Sequence, residues 1–273
     1  MVKVYEPKSY WEERLTKEFN LDAVGFNSFG KSYNRWLYRM REVNLGKVIE
    51  NNDLLSVDKS VLDIGCGTGF YVDIWQRKGI KHLTGVDIAN VSKNELSIQY
   101  PGYKFHEADI ASNSLVEQVD SKFDVITAFD VLFHIVDDCK FEQAIKNIRS
   151  LCSDTSVILI TDIFPHKRPY VLAHQKSRIL EDYTNVLKRN GIEIIDRVPV
   201  HYLLNAPLDI SNGVLQRLVL LLWWQLFVRI VERTTHLLGY TFSRLDLLLA
   251  RFFKESPSTE MIICRPILGD SHC

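Results

Sequence analysis

The chain has 273 residues, 46% of them apolar and 25% charged, with a formal net charge of -1. This supports one large globular domain with an embellishment, or two small ones, and excludes a disordered chain. No lysine or arginine block offers a footprint for a nucleic-acid backbone, and five scattered cysteines, never spaced Cys-x-x-Cys, suggest neither a disulfide framework nor a zinc site.

The opening residues, MVKVYEPKSYWEERL, lack the apolar core of a secretion signal, so a cytoplasmic location is expected. From Ser9 to Asn51 the pattern is helical and rich in aromatic residues, among them Trp11, Tyr33 and Trp36. From Val61 to about Ile195, short β-rich runs alternate with amphipathic stretches, as in a parallel sheet covered by helices. Strands are predicted at 61–65, 82–87, 103–109, 123–130, 156–164 and 192–200, and helices at 70–79, 92–100, 139–152 and 174–191. Gly191 closes the last helix. A long apolar helical stretch over 205–254 precedes a final strand at 259–267. The expected fold is α/β, a doubly wound, seven-stranded Rossmann-like sheet in a single domain over 1–273. It divides into a helical cap (1–55), a core (56–204), an apolar helical insertion (205–254) and the last strand with its tail (255–273).

In VLDIGCGTGF the first strand breaks into a turn carrying Gly65, Gly67 and Gly69. Glycines there let the main chain approach a ligand with no Cβ in the way, at the carboxyl end of the strands where such sheets bind ligands. A dinucleotide turn has the spacing G-x-G-x-x-G, but position 70 is Phe. The spacing is G-x-G-x-G, with Asp63 two residues before it. Asp87 ends the second strand in GVD, where a carboxylate can accept both hydroxyls of a ribose, and Asp109 ends the third in EAD.

These residues resemble the motifs of class I S-adenosylmethionine-dependent methyltransferases, and FDVITAFDVLFHIVDD resembles the fourth motif of the branch that includes the ubiquinone-biosynthesis methyltransferases. The resemblance covers about Val61 to Phe164, and the turn CSDTS departs from it, where relatives carry a Pro-Gly-Gly type turn. It implies S-adenosylmethionine as cofactor: Asp63 near its amino acid end, the turn Gly65, Cys66, Gly67 and Gly69 beneath it, Asp87 and Ile88 at the ribose, and Asp109 and Ile110 at the adenine. Phe129 and, from the cap, Trp11 complete the cofactor set. YWEERL and SYNRWLYRMRE also resemble small-molecule methyltransferases found beside bacterial glycan-biosynthesis enzymes.

Methyl transfer to oxygen calls for a base near the methyl group. His134, one turn beyond Asp130 if the chain turns there, is the first candidate; Asp130 would orient it or contact the methionine end. Asp162, in TDIFPH, and His166 follow. A histidine packed structurally and solvated loop residues are the plain alternatives. No cluster has metal-ligand spacing, so no metal is expected. The acceptor is expected to be a small molecule, a sugar or glycan precursor or a lipid-linked one; carbon or nitrogen methylation of a hydrophobic metabolite, and cofactor binding without catalysis, are the competing readings. For VLQRLVLLLWWQLFVRIV, 214–231, three roles stay open: a lid or subunit interface, an in-plane membrane contact with Arg217, Arg229 and Arg233 near headgroups, and a true span. Partners through 214–253 are accordingly a membrane surface or a second copy.

Overall fold

Val61, Leu62 and Ile64 are buried to within 2% because their strand becomes the middle of a sheet covered on both faces. The computed structural model describes residues 5–25, 30–56, 58–210, 212–230 and 236–268, so Arg233 and the tail from 269 lie outside the described residues. Strands β1 (Ser60–Ile64), β2 (His82–Asp87), β3 (Lys104–Glu107), β4 (Phe123–Phe129), β5 (Cys152–Ile163), β8 (Ile192–Pro199) and β9 (Thr259–Pro266) form one sheet, in the order β3-β2-β1-β4-β5-β9-β8. The first five pair in parallel, and β9 runs antiparallel between β5 and β8. A short hairpin, β6 (Tyr170–Leu172) with β7 (Gln175–Ser177), stands apart.

Alternation along each strand divides the core into two layers. On one face Leu62, Ile64 and Ile126 meet α7 (Asp138–Ser150) and α8 (Leu180–Arg189). On the other, Val61, Val125 and Leu159 meet α3 (Gly30–Asn51), α4 (Phe70–Arg77) and α5 (Asn90–Gln99). Strand order reverses between β1 and β4, which opens a crevice at their carboxyl ends.

Two elements frame that crevice. From the cap, α1 (Pro7–Lys17) crosses the ends of β2 and β3: Lys8 pairs with Glu107 at 2.6 Å, and Glu12 accepts the Asn90 N–H at 2.6 Å. Glu12 thereby supplies the N-terminus of α5 with the negative partner that its own N-cap, Ala89, lacks. From the insertion, α9 (Gly213–Trp223) runs into a π-helical turn (Trp224–Val228), and α10 (His236–Phe252) follows. Both lean on α3, where Trp223 and Val228 join Tyr33, Leu37 and Met40 in one apolar cluster. Gly239 of α10 has no Cβ because the Trp36 ring occupies that place. Asp246, 1% exposed, anchors α10 by accepting the backbone N–H groups of Tyr202, Leu203 and Leu204.

Local departures from the sequence reading have tertiary causes. The helix expected over 174–191 begins only at Leu180, since Ser177 is drawn to Asp162 and Arg178 to Asp138, which straightens 175–177 into β7. The CSDTS stretch is the start of β5 rather than a loop. Gly191, at φ +73°, ends α8 as expected. Among the described residues no helix is long and apolar enough to cross a membrane.

Candidate active site

The crevice is a cavity of about 1130 Å³. Its floor is the turn after β1, where Gly65, Gly67 and Gly69 all take positive φ, +70°, +51° and +82°. The three glycines differ in what their missing Cβ spares. At Gly65 a Cβ would strike Val131, and at Gly69 it would lie 2.6 Å from Leu96, so these two serve packing. At Gly67 the nearest atom would be Val24 Cγ1 at 3.4 Å, which leaves that part of the turn open to the cavity.

Asp87, at the end of β2, lines the cavity and organises the turn: its Oδ2 accepts the Gly67 N–H and its Oδ1 the Ala89 N–H, both at 2.8 Å. Burial raises its pKa to about 6 against the lowering by those hydrogen bonds. Ile88, Asp109, Ile110 and Cys66 line the same side. Asp109 accepts the Ala111 N–H at 2.8 Å, which curls the chain after β3 around the cavity. Asp63 lies elsewhere than expected. It sits beneath the turn, 1% exposed and not in the cavity wall, with Thr127 donating to its Oδ1 at 2.7 Å and its Oδ2 without a partner. Burial pushes its carboxyl up to about 7. Gly69 is likewise outside the wall.

At the end of β4 the chain does turn, into a 3-10 segment over Leu132–His134, with Asp130 at φ +57°. Asp130 is held by Arg41 of α3 at 2.7 Å, a pair only 11% and 23% exposed at its two side chains, and by Thr161. Arg41 has no sequence signal; it is one arginine among several in RWLYRMRE, and only the packing of α3 brings it to the crevice. His134 and Asp162 also line the cavity, as do Phe129 and Trp11. Tyr33 and Trp36 do not; they bury the α3 face beneath the insertion. His166 lies off the cavity, paired with Asp209 at 2.6 Å.

Around His134 the wall is aromatic. Trp11 meets its ring edge-on at 5.0 Å, and His174 stacks at 6.1 Å on one side and on Tyr10 at 5.9 Å. His134 Nδ1 is 2.9 Å from the His174 carbonyl, which makes Nδ1 the protonated nitrogen and leaves the lone pair on Nε2. Burial lowers its pKa to about 4, so the ring is neutral near pH 7. Asp162, 1% exposed, accepts from Ser177 and the Ile163 N–H on Oδ1, while Oδ2 has no partner; burial holds its carboxyl well above the usual range. Among the described residues no group of three His, Cys, Asp or Glu side chains has the arrangement to hold a metal ion.

The model of the methyltransferase domain family matches residues 36–229, most of the chain. The chain belongs to the methyltransferase family. Its sheet order and turn make it a class I, S-adenosylmethionine-dependent member of that family. This methyltransferase is 29% identical over 133 residues to a ubiquinone biosynthesis O-methyltransferase of Idiomarina loihiensis, a match covering 45% of this chain and 54% of that one. It spans about half the length of the curated relatives it matches. Among solved structures it superposes on the CcbJ methyltransferase of Streptomyces caelestis with a TM-score of 0.56 at 10% identity, over 97% of this chain and all of that one. A S-adenosylmethionine-dependent methyltransferase of Clostridium acetobutylicum gives 0.52 at 13% identity, over 85% and 92%. These two likenesses concern the fold.

The residues of the crevice fit S-adenosylmethionine. The open face of Gly67, the buried and unpartnered Thr68 Oγ1 beside it and the acceptor oxygens of Asp87 suit a nucleoside with hydroxyls and no phosphate. No lysine or arginine stands at the turn itself to meet a phosphate. Arg41 with Asp130 offers a charge of each sign to an amino acid end.

Proposed function

We propose that this methyltransferase transfers a methyl group to a hydroxyl oxygen of a bulky, largely apolar acceptor whose hydroxyl is acidified, as on an aromatic ring. When bound, S-adenosylmethionine supplies an electrophilic methyl on a sulfonium, displaced in line. The chain's own residues hold the nucleoside at Asp87 and the amino acid end at Arg41 and Asp130, and they keep the acceptor oriented and dry.

The observation that carries the oxygen reading is His134, a neutral imidazole with its proton fixed on Nδ1 and its lone pair on Nε2, set in an aromatic wall. As the carbon–oxygen bond forms, the hydroxyl proton passes to Nε2, and the imidazolium returns it to water after product leaves. A base of pKa about 4 matches a phenol-like hydroxyl, near 10, better than a sugar hydroxyl, which is far less acidic. The aromatic wall suits a flat ring for the same oxygen. Asp162, whose carboxyl burial holds well above the usual range, lines the same cavity. The Idiomarina relative, named an O-methyltransferase, accords with oxygen as the atom methylated. A lipid-linked acceptor fits the size of the cavity and the side chains of α9 and its π-turn that reach it, Leu220, Leu221, Trp223 and Trp224.

The test uses methyl-labelled S-adenosylmethionine with a panel of phenolic, alcoholic and amine acceptors, the product read by NMR. An O–CH3 on a phenolic acceptor is expected, and kcat falls about 10²- to 10³-fold in His134→Gln while affinity for the demethylated cofactor stays constant. The acid limb of the wild-type profile should lie near pH 4–5, not near 6.5. Label on carbon or nitrogen, or a His134→Gln variant of full activity, refutes the reading.

A further inference from the structure

The outer face of the insertion is the least explained surface of the molecule. Of nineteen exposed large apolar side chains among the described residues, twelve fall between 214 and 253. On α9 and its π-turn, Leu215, Leu218, Leu222 and Leu226 are each more than half exposed, and on α10 Phe252 is 73% exposed. Both helices turn their inner faces to the cluster around Tyr33 and leave these apolar side chains on their outer faces uncovered. Exposed apolar surface of this extent is a liability unless something covers it.

Charge decides what covers it. Arg217, Arg229, Arg244, Arg251 and Lys254 are all exposed here, and none is ion-paired among the described residues. The two acids of 213–254 are Glu232, outside the described residues, and Asp246, whose carboxylate is spent on backbone N–H groups inside the protein. With Arg233, the segment has six basic residues against two acidic ones, in a chain whose net charge is -1. A two-fold dimer would press this basic patch against its own copy, since the same surface meets itself across such an axis. An anionic bilayer complements both the leucines and the arginines.

The surface is also continuous with the active site. Leu221 lines the cavity and is 62% exposed, which places an opening of the cavity on this face. Beside the start of α9, the β6–β7 hairpin adds exposed Val171 and Leu172 with Lys167 and Arg168, again apolar beside basic.

We propose that α9 and α10 lie in the plane of an anionic lipid surface, and that the cavity opens toward it. Binding to lipid needs neither cofactor nor acceptor, so it stands or falls separately from the oxygen-methylation reading. The experiment is flotation of the full chain with vesicles of phosphatidylcholine alone and with about 30% phosphatidylglycerol, at low and high salt. Binding is expected to be at least about tenfold stronger on the anionic vesicles and to weaken with salt. The double variant Leu218→Ser, Leu222→Ser, whose side chains do not line the cavity, should lose about tenfold or more while binding the demethylated cofactor as before, the control for folding. Equal binding to both vesicle types, or undiminished binding by the variant, overturns the proposal. So does a stable dimer by light scattering that the variant dissociates and that ignores vesicles, for then a second copy covers the face.

Discussion

Asp63, expected at the amino acid end of the cofactor, is held beneath the glycine turn, 1% exposed. The sequence puts an acid at the end of the central strand; the fold turns it under the glycine turn, against Thr127, where its second oxygen has no partner. Its folded pKa, about 7, lies above the ordinary 3.8, so the folded state binds this proton more tightly than the unfolded chain. The stability linked to it is therefore complete below about pH 4 and is lost as pH rises through 7. Asp63→Asn keeps an oxygen for Thr127 and carries no charge to desolvate. Urea melts of the cofactor-free protein should show wild type losing more stability than Asp63→Asn between pH 6 and 8, by about 1 kcal/mol or more. Parallel pH dependences would show that the carboxyl is ionised in the fold. Arg41, by contrast, was illegible: no spacing marks it, and its meeting with Asp130 depends on how a 22-residue helix lies across the sheet.

At the scale of elements, the strands were legible because burial on both faces demands continuous apolar runs, and VLDI, GVD and DVITAF meet that demand. The hairpin at 170–177 was not, since HQKS has no β pattern of its own and takes its shape from Asp162 and Asp138 across the chain. The glycine turn was legible as a unit, but its three members have separate duties. Gly69→Ala puts a Cβ 2.6 Å from Leu96 at φ +82°, and should destabilise the fold by about 1–3 kcal/mol with little change in cofactor affinity of the folded protein. Gly67→Ala, strained by φ +51° but with its Cβ no nearer than 3.4 Å to Val24 Cγ1, should cost less stability than Gly69→Ala and more of the cofactor affinity. Denaturant midpoints and titration with the demethylated cofactor separate the two; equal profiles would contradict the division.

At the scale of the molecule, the alternation of strands and helices gave the fold class, whereas the relation of cap, core and insertion was not legible, because helices with one apolar face carry no address for their partner. What the fold adds is that cap and insertion close one cavity from two sides. Trp11 and Glu12 are neighbours on α1: the first is a wall of the chamber at His134, the second is fastened to the start of α5 behind Asp87. One helix thus links the chamber wall at His134 to the element behind Asp87, and whatever seats it firmly at one end seats it at the other. Reciprocity follows from this latch: a methylated product should tighten the hold on the spent nucleoside by the same factor that the nucleoside tightens the hold on product, about 5-fold or more. Calorimetric titration of each in the presence of the other reads that factor directly, and a Glu12→Gln chain, with the latch loosened at one end, should bring it close to one.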